Sequence, residues 1–148
     1  MKIAIGSDHA GFVLKNRLRD ELSAEGHDVI DLGANSSESV DYPDFAALVS
    51  EAVAAGKSER GVLVCGTGVG MSIAANKVPG IRAAAVSDAV SARLSREHND
   101  ANIVCVGERI VGLEVALAIV RTFIGTAFSS GERHRGRINK ISGLEQKP

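Results

Sequence analysis

Cys65 ends a strand-like run, Gly61-Val-Leu-Val-Cys65, and leads straight into Gly66-Thr67-Gly68-Val69-Gly70-Met71-Ser72. Alternating glycines let consecutive backbone N–H groups converge on one point, and the helical segment that follows adds partial positive charge there. A thiol beside such a cluster ionises more readily than a free cysteine. Thiol and cradle together can remove a proton and hold the oxyanion left behind. A dinucleotide fingerprint, Gly-x-Gly-x-x-Gly, would need a third glycine where Met71 stands, although Asp88 lies about where a ribose-binding acid would fall. No Gly-Lys-Ser/Thr follows, so a phosphate-binding P-loop does not fit either.

Other groups could join this chemistry. Asp8-His9 follows the first strand-like run and reads either as a helix-capping pair or as a polar catalytic pair. His98 comes four residues after Leu94 and eight after Val90, which would end the apolar face of a helix. His98-Asn99-Asp100 is equally a turn sequence that would put the imidazole on a loop. Arg133 and Arg137, four apart, share a helix face and could grip one phosphate, or form a solvated basic face. Cys105 lies in a second apolar run and reads as a buried hydrophobe. Tyr42 is the lone tyrosine among four Phe and no Trp, so the core must be built from Val, Ile, Leu and Ala.

The elements that would position these groups alternate. Short β-rich runs at 2–6, 28–32, 61–65, 82–86 and 103–107 are mostly continuously apolar, as strands covered on both faces should be. Between them lie amphipathic stretches: Leu14, Leu18 and Leu22; Phe45, Leu48, Val49, Ala52 and Val53; Leu113, Ala116, Leu117, Val120 and Ile124. Alternation means βαβ units with right-handed crossovers: a three-layer α/β/α, Rossmann-like fold on a five-stranded parallel sheet. A flavodoxin-like order, 2-1-3-4-5, would reverse its winding between strands 1 and 3. The loops beginning at Gly6 and at Cys65 would then line one crevice. After a break at 129–131, Ile138, Ile141 and Leu144 mark a C-terminal helix.

The 148 residues fit one domain, 1–148, and the net charge of −1 calls for neither nucleic acid nor a membrane surface. No apolar run approaches the roughly 20 residues a span needs, and the apolar start is too short for a signal peptide. The two cysteines lack metal-ligand spacing, so no metal is expected and a reduced, cytoplasmic protein is.

Gly-Ser-Asp8-His9-Ala-Gly, Asp41-Tyr42-Pro43, the stretch from Cys65 to Lys77, Arg96-Glu-His98-Asn99 and Arg133-His134-x-x-Arg137 occur in order over nearly the whole length. On these motifs the chain resembles the ribose-5-phosphate isomerase B family, which also includes galactose- and allose-6-phosphate isomerases. The resemblance implies an aldose–ketose isomerase working through an enediolate, without metal or organic cofactor, with a role in the pentose phosphate pathway. It implies homodimers or homotetramers whose sites are shared between subunits. By position, it makes Cys65 the base. Thr67 and His98 assist ring opening, with His98 reaching in from the partner. Asp8 and Tyr42 lie near the sugar. The backbone of Gly66, Gly68, Val69, Gly70, Met71 and Ser72 cradles the enediolate oxygen. Asn99 helps hold the substrate; His9, Arg133, Arg137 and Arg109 (the last from the partner) bind phosphate.

One branch of the family uses a glutamate later in the glycine loop; Met71 occupies that place here, which puts this chain in the thiol-base branch. Ribose 5-phosphate is the expected substrate. Allose 6-phosphate, galactose 6-phosphate, a tetrose phosphate or a rare sugar are alternatives. From other classes, a non-catalytic nucleotide- or sugar-phosphate-binding module conflicts with Met71, and a thiol redox protein lacks a Cys-x-x-Cys partner for Cys65.

Overall fold

The computed structural model describes residues 1–146. Five parallel strands form one sheet: β1 (Lys2–Ser7), β2 (Asp28–Asp31), β3 (Arg60–Cys65), β4 (Ala83–Ala85) and β5 (Ile103–Gly107). Helices α1 (Phe12–Ala24), α2 (Tyr42–Ala54), α3 (Val69–Ala75), α4 (Ala89–Asn99) and α5 (Leu113–Gly125) alternate with them, and α6 (Glu132–Leu144) follows. The three-layer arrangement is as the alternation predicts.

The strand order is β2-β1-β3-β5-β4, so one edge differs from the expected 2-1-3-4-5. The reason lies in the strands themselves. All five residues of β5 are buried, whereas the three alanines of β4 are only partly covered. The longer, larger side chains of β5 fill the centre, and the short β4 serves as an edge. The reversal between β1 and β3 is unaffected.

Right-handed crossovers then decide which helix covers which face. Crossovers leading from β2 to β3 and from β3 to β4 run one way across the sheet, so α2 and α3 share a face; their Ala46, Val49, Met71 and Ala75 pack with Leu63 and Cys105. Those leading from β1 to β2 and from β4 to β5 run the other way. There α1 and α4 join α5, and Leu14, Leu18, Leu22, Ala92, Val120 and Phe123 pack on Ile3, Val62 and Val104. Full burial of each large aliphatic side chain stabilises the fold by about 1.5–3 kcal/mol.

Two predicted helix faces turn out differently. On α2 the buried residues are Ala46, Val49, Ser50 and Val53, and Leu48 is exposed. On α4 they are Ala92, Ser95 and Arg96, while Val90 and His98 face outward, so His98 does not end an apolar face. The terminal helix α6 buries none of its side chains. Among the described residues no helix is long and apolar enough to cross a membrane.

Candidate active site

Because the sheet is parallel, every strand delivers its following loop to the same edge. At the end of β3 the Cys65 thiol, 5 % exposed, accepts a hydrogen bond from the Gly68 N–H at 3.1 Å. Gly68 reaches that position at φ +81°, in the left-handed region open to glycine. The Thr67 hydroxyl accepts from the Val69 N–H at 3.2 Å. The first helical bond of α3 runs from the Ser72 N–H to the Gly68 carbonyl. The N–H groups of Gly70 and Met71 therefore have no helical carbonyl to pair with, and they are donors available to an anion.

Neighbouring loops press closely on this turn. A β-carbon on Gly107, at the end of β5, would lie 2.6 Å from the Thr67 backbone. One on Gly70 would lie 2.8 Å from the ring of Tyr42, the first residue of α2. One on Gly66 would lie 3.2 Å from the Arg109 guanidinium, so Arg109, which the resemblance brings from a partner, sits against Gly66 of its own chain.

From β1, Asp8 accepts the Gly11 N–H at 3.1 Å, capping the turn that opens α1; the capping expectation for Asp8 is met. The next donor of α1, the Leu14 N–H, goes to the Glu108 carboxylate at 3.0 Å. His9 Nδ1 accepts the Val40 N–H at 3.2 Å, which leaves Nε2 to carry the proton of the neutral imidazole. Asp8, His9, Tyr42, Cys65 to Ser72 and Arg109 thus gather at the carboxyl edge of the sheet.

The remaining predicted residues gather elsewhere. Helix α4 leaves the carboxyl edge and runs back about 16 Å over its 11 residues to the amino edge. There Arg82, just before β4, donates to the carbonyls of Asn99 and Asp100 at 3.1 and 3.0 Å. His98 stacks on His134 of α6, ring centroids 4.5 Å apart, and the Ser129 N–H bonds the Glu97 carbonyl at 3.2 Å. His98 and Asn99 therefore lie with Arg133 and Arg137 at one end of the sheet, and the thiol lies at the other.

Burial first, then the nearby Cys65, push the Cys105 thiol well above its ordinary range, which suits its reading as a core residue. Asp88 caps α4, accepting the Ser91 N–H at 2.7 Å, and so has a structural task unrelated to a ribose. Two hollows adjoin the two groups. One of about 360 Å³ is lined by Thr67, Val69, Ser87, Gly107 and Ile110, beside the glycine loop. A larger one of about 630 Å³ opens at the amino edge among Arg82, Asn99, Ala101, Ile141 and Leu144. The larger lies away from the thiol, so size is no guide to the chemistry here. Among the described residues no cluster of three or more His, Cys, Asp and Glu side chains could hold a metal.

Two buried cations receive no role from the sequence, although Arg96 lies within the Arg96-Glu-His98-Asn99 motif. Lys15 is 1 % exposed and Arg96 is 2 % exposed. Each stands beside an apolar stripe of its helix, where long charged side chains are ordinarily read as solvent-facing.

Comparison with known proteins adds an independent observation. The model of the Ribose/Galactose Isomerase family matches residues 3–141. The chain is 50 % identical over 146 residues to the ribose-5-phosphate isomerase B of Escherichia coli strain K12, covering 99 % of this chain and 97 % of that protein. It is 41 % identical to the D-erythrulose-4-phosphate isomerase 2 of Mycolicibacterium smegmatis, covering 98 % of this chain and 97 % of the relative. It superposes on the Clostridium thermocellum ribose-5-phosphate isomerase B with a TM-score of 0.97 at 55 % identity, covering 99 % of this chain and 98 % of that one.

Proposed function

We propose, from the premise that this chain belongs to the Ribose/Galactose Isomerase family, that it interconverts ribose 5-phosphate and ribulose 5-phosphate through an enediolate with Cys65 as the base. It is a sugar-phosphate aldose–ketose isomerase, an intramolecular oxidoreductase. The observation that carries the role of Cys65 is its place at the mouth of the glycine turn, facing the Gly68 N–H at 3.1 Å.

The chemistry follows from that geometry. Thr67 and His98 assist opening of the furanose ring. The Cys65 thiolate takes the proton from C2 of the open aldose, and the electron pair moves into the carbonyl to give the enediolate. A proton beside a carbonyl is a poor acid, so the anion must be stabilised as it forms. The N–H groups of Gly70 and Met71 are fixed donors that need no reorganisation, and losing one such donor typically costs about 100- to 1000-fold in rate. The O2 hydroxyl proton passes to O1, the C2 carbonyl forms as the thiol returns its proton to C1, and a single base thus serves both carbons. Asp8 and Tyr42 border the sugar, and His9 and the arginines hold its phosphate, which fixes the reacting carbon near sulfur.

The separation of the two residue groups within one chain supports a site shared between two chains. In this reading the carboxyl edge of one chain supplies Cys65, Thr67, Asp8, His9, Tyr42 and Arg109. A second copy brings His98, Asn99, Arg133 and Arg137. The enzyme is then at least a homodimer, each chain a single domain over 1–148. It works in the cytoplasm within the pentose phosphate pathway, without nucleic acid or membrane.

The test is a panel of four-, five- and six-carbon sugar phosphates scored for aldose–ketose conversion by wild type and Cys65→Ala. Ribose 5-phosphate should be the preferred substrate, and Cys65→Ala should lose about 100- to 10,000-fold in kcat with an unchanged fold. Full turnover by the variant would remove the proposed base. Preference for a tetrose phosphate, the class named for the Mycolicibacterium relative, would reassign the substrate while leaving the chemistry intact.

A further inference from the structure

We infer that Lys15 is a positioning residue for the sugar-phosphate site: its buried ammonium anchors the 32–41 loop that orients His9 and leads into Tyr42. The inference rests on the reading that His9 and Tyr42 face the substrate.

The side chain of Lys15 leaves the Leu14–Leu18–Leu22 stripe of α1 and is almost wholly enclosed. All three ammonium protons find acceptors: both carboxylate oxygens of Asp31 and the Ala34 carbonyl, each at 2.8 Å. Asp31, at the end of β2, also accepts the Gly33 N–H at 2.9 Å and Arg19 at 3.0 Å. Burial pushes the Asp31 carboxyl up, but the hydrogen bonds from Lys15, Gly33 and Arg19 outweigh it and hold the group below the usual carboxylate range.

A buried ion pair is poor evidence for stability, because well-packed apolar residues in its place are often neutral or better. Apolar residues at both 15 and 31 would have extended the leucine stripe of α1 at no electrostatic cost. What the ammonium adds is a fixed geometry at the start of the loop. It holds Asp31 and Ala34, while the Ala34 N–H bonds the Ser7 carbonyl at 2.6 Å, next to Asp8. At the far end of the same loop the Val40 N–H holds His9 Nδ1. Two residues further on, Tyr42 lies against Gly70. Residues 35–39, between the two attachments, are exposed and make no comparable ties to the body of the chain. The loop is therefore fastened at its start by Lys15 together with the Ser7 backbone and at its far end by His9. Releasing the ammonium removes the side-chain part of the first fastening and loosens the hold of the Val40 N–H on the imidazole.

Lys15→Met and Asp31→Asn in the full-length enzyme test this, with His9→Asn as the reference. The readouts are steady-state kinetics on ribose 5-phosphate well below the unfolding temperature, and ¹⁵N NMR of the His9 imidazole. Lys15→Met should raise KM about tenfold with a smaller loss in kcat, the pattern of weakened substrate binding. The His9 nitrogens should move from a single tautomer toward averaged shifts. Asp31→Asn keeps an acceptor in place and should move both readouts the same way by less, which secures the test if Lys15→Met folds poorly. A lower melting temperature with unchanged KM and an unchanged His9 tautomer would make the pair a purely structural one and overturn the inference. If His9→Asn raises KM and the Lys15 and Asp31 variants do not, the anchoring role alone falls. If His9→Asn also leaves KM unmoved, the reading of His9 as a substrate contact falls, and the inference with it.

Discussion

The imidazoles of His98 and His134 stack face to face, their planes within 10° of parallel and their centroids 4.5 Å apart. Burial first, and then the charges of His98, Arg133 and Arg137, hold the His134 imidazole below its ordinary range. The unfolded chain therefore takes up the proton first, at about pH 6.5. Any stability this group contributes is present above that pH and is lost as pH falls through the folded value. His134→Gln should accordingly flatten the fall of Tm between about pH 7.5 and 5.5, read by calorimetry. An unchanged slope would mean that the imidazole is not coupled to its neighbours.

A site shared between two chains, as proposed, predicts complementation. Cys65→Ala and His98→Ala should each be nearly inactive alone. In the proposed homodimer, half of the dimers would be mixed after subunit exchange, and each mixed dimer would hold one intact site of two. Activity should then recover to about a quarter of wild type. No recovery after exchange verified by native mass spectrometry would mean that each site is built from one chain.

Two glycines should respond oppositely to alanine. At Gly107 the new methyl would meet the Thr67 backbone at 2.6 Å, and backbone cannot swing away. Gly107→Ala should cost about 1–3 kcal/mol in urea unfolding and should also lower kcat, since Thr67 must shift. At Gly66 the methyl meets the flexible end of Arg109 at 3.2 Å. Gly66→Ala should leave stability nearly unchanged and raise KM.

The two thiols should differ in reactivity. Iodoacetamide on the native enzyme should modify Cys65 and spare Cys105, which is wholly enclosed and resists ionisation. Saturating sugar phosphate should slow the reaction at Cys65. Peptide mass spectrometry reads both, and equal labelling of the two would contradict their assignment.

Much of this was legible in the residues. The runs at 2–6, 61–65 and 103–107 overlap β1, β3 and β5, because strands covered on both faces are marked by nearly continuous apolar residues rich in Val and Ile. The edge exchange was not legible. Alanines at 83–85 read equally well as a central or a marginal strand, and only competition for the middle of the sheet decides. At the site, Cys65, Thr67 and the glycines come from one continuous motif, so their meeting could be read directly. Tyr42 and Gly70 lie far apart in sequence, and their contact depends on how α2 packs on α3. Lys15 and Arg96 escaped because a buried cation is identified by its acceptors, and the Ala34 and Thr126 carbonyls become acceptors only once the chain has folded.

Thirteen residues of α6 with no side chain enclosed by their own chain have a thermodynamic consequence. A segment this short is only marginally helical in water without a surface to lie on. If its docking surface is another molecule of the same protein, its order depends on protein concentration. Dilution would then release Arg133 and Arg137, the proposed phosphate ligands, while the sheet stayed intact, and specific activity would fall with protein concentration before any sign of unfolding.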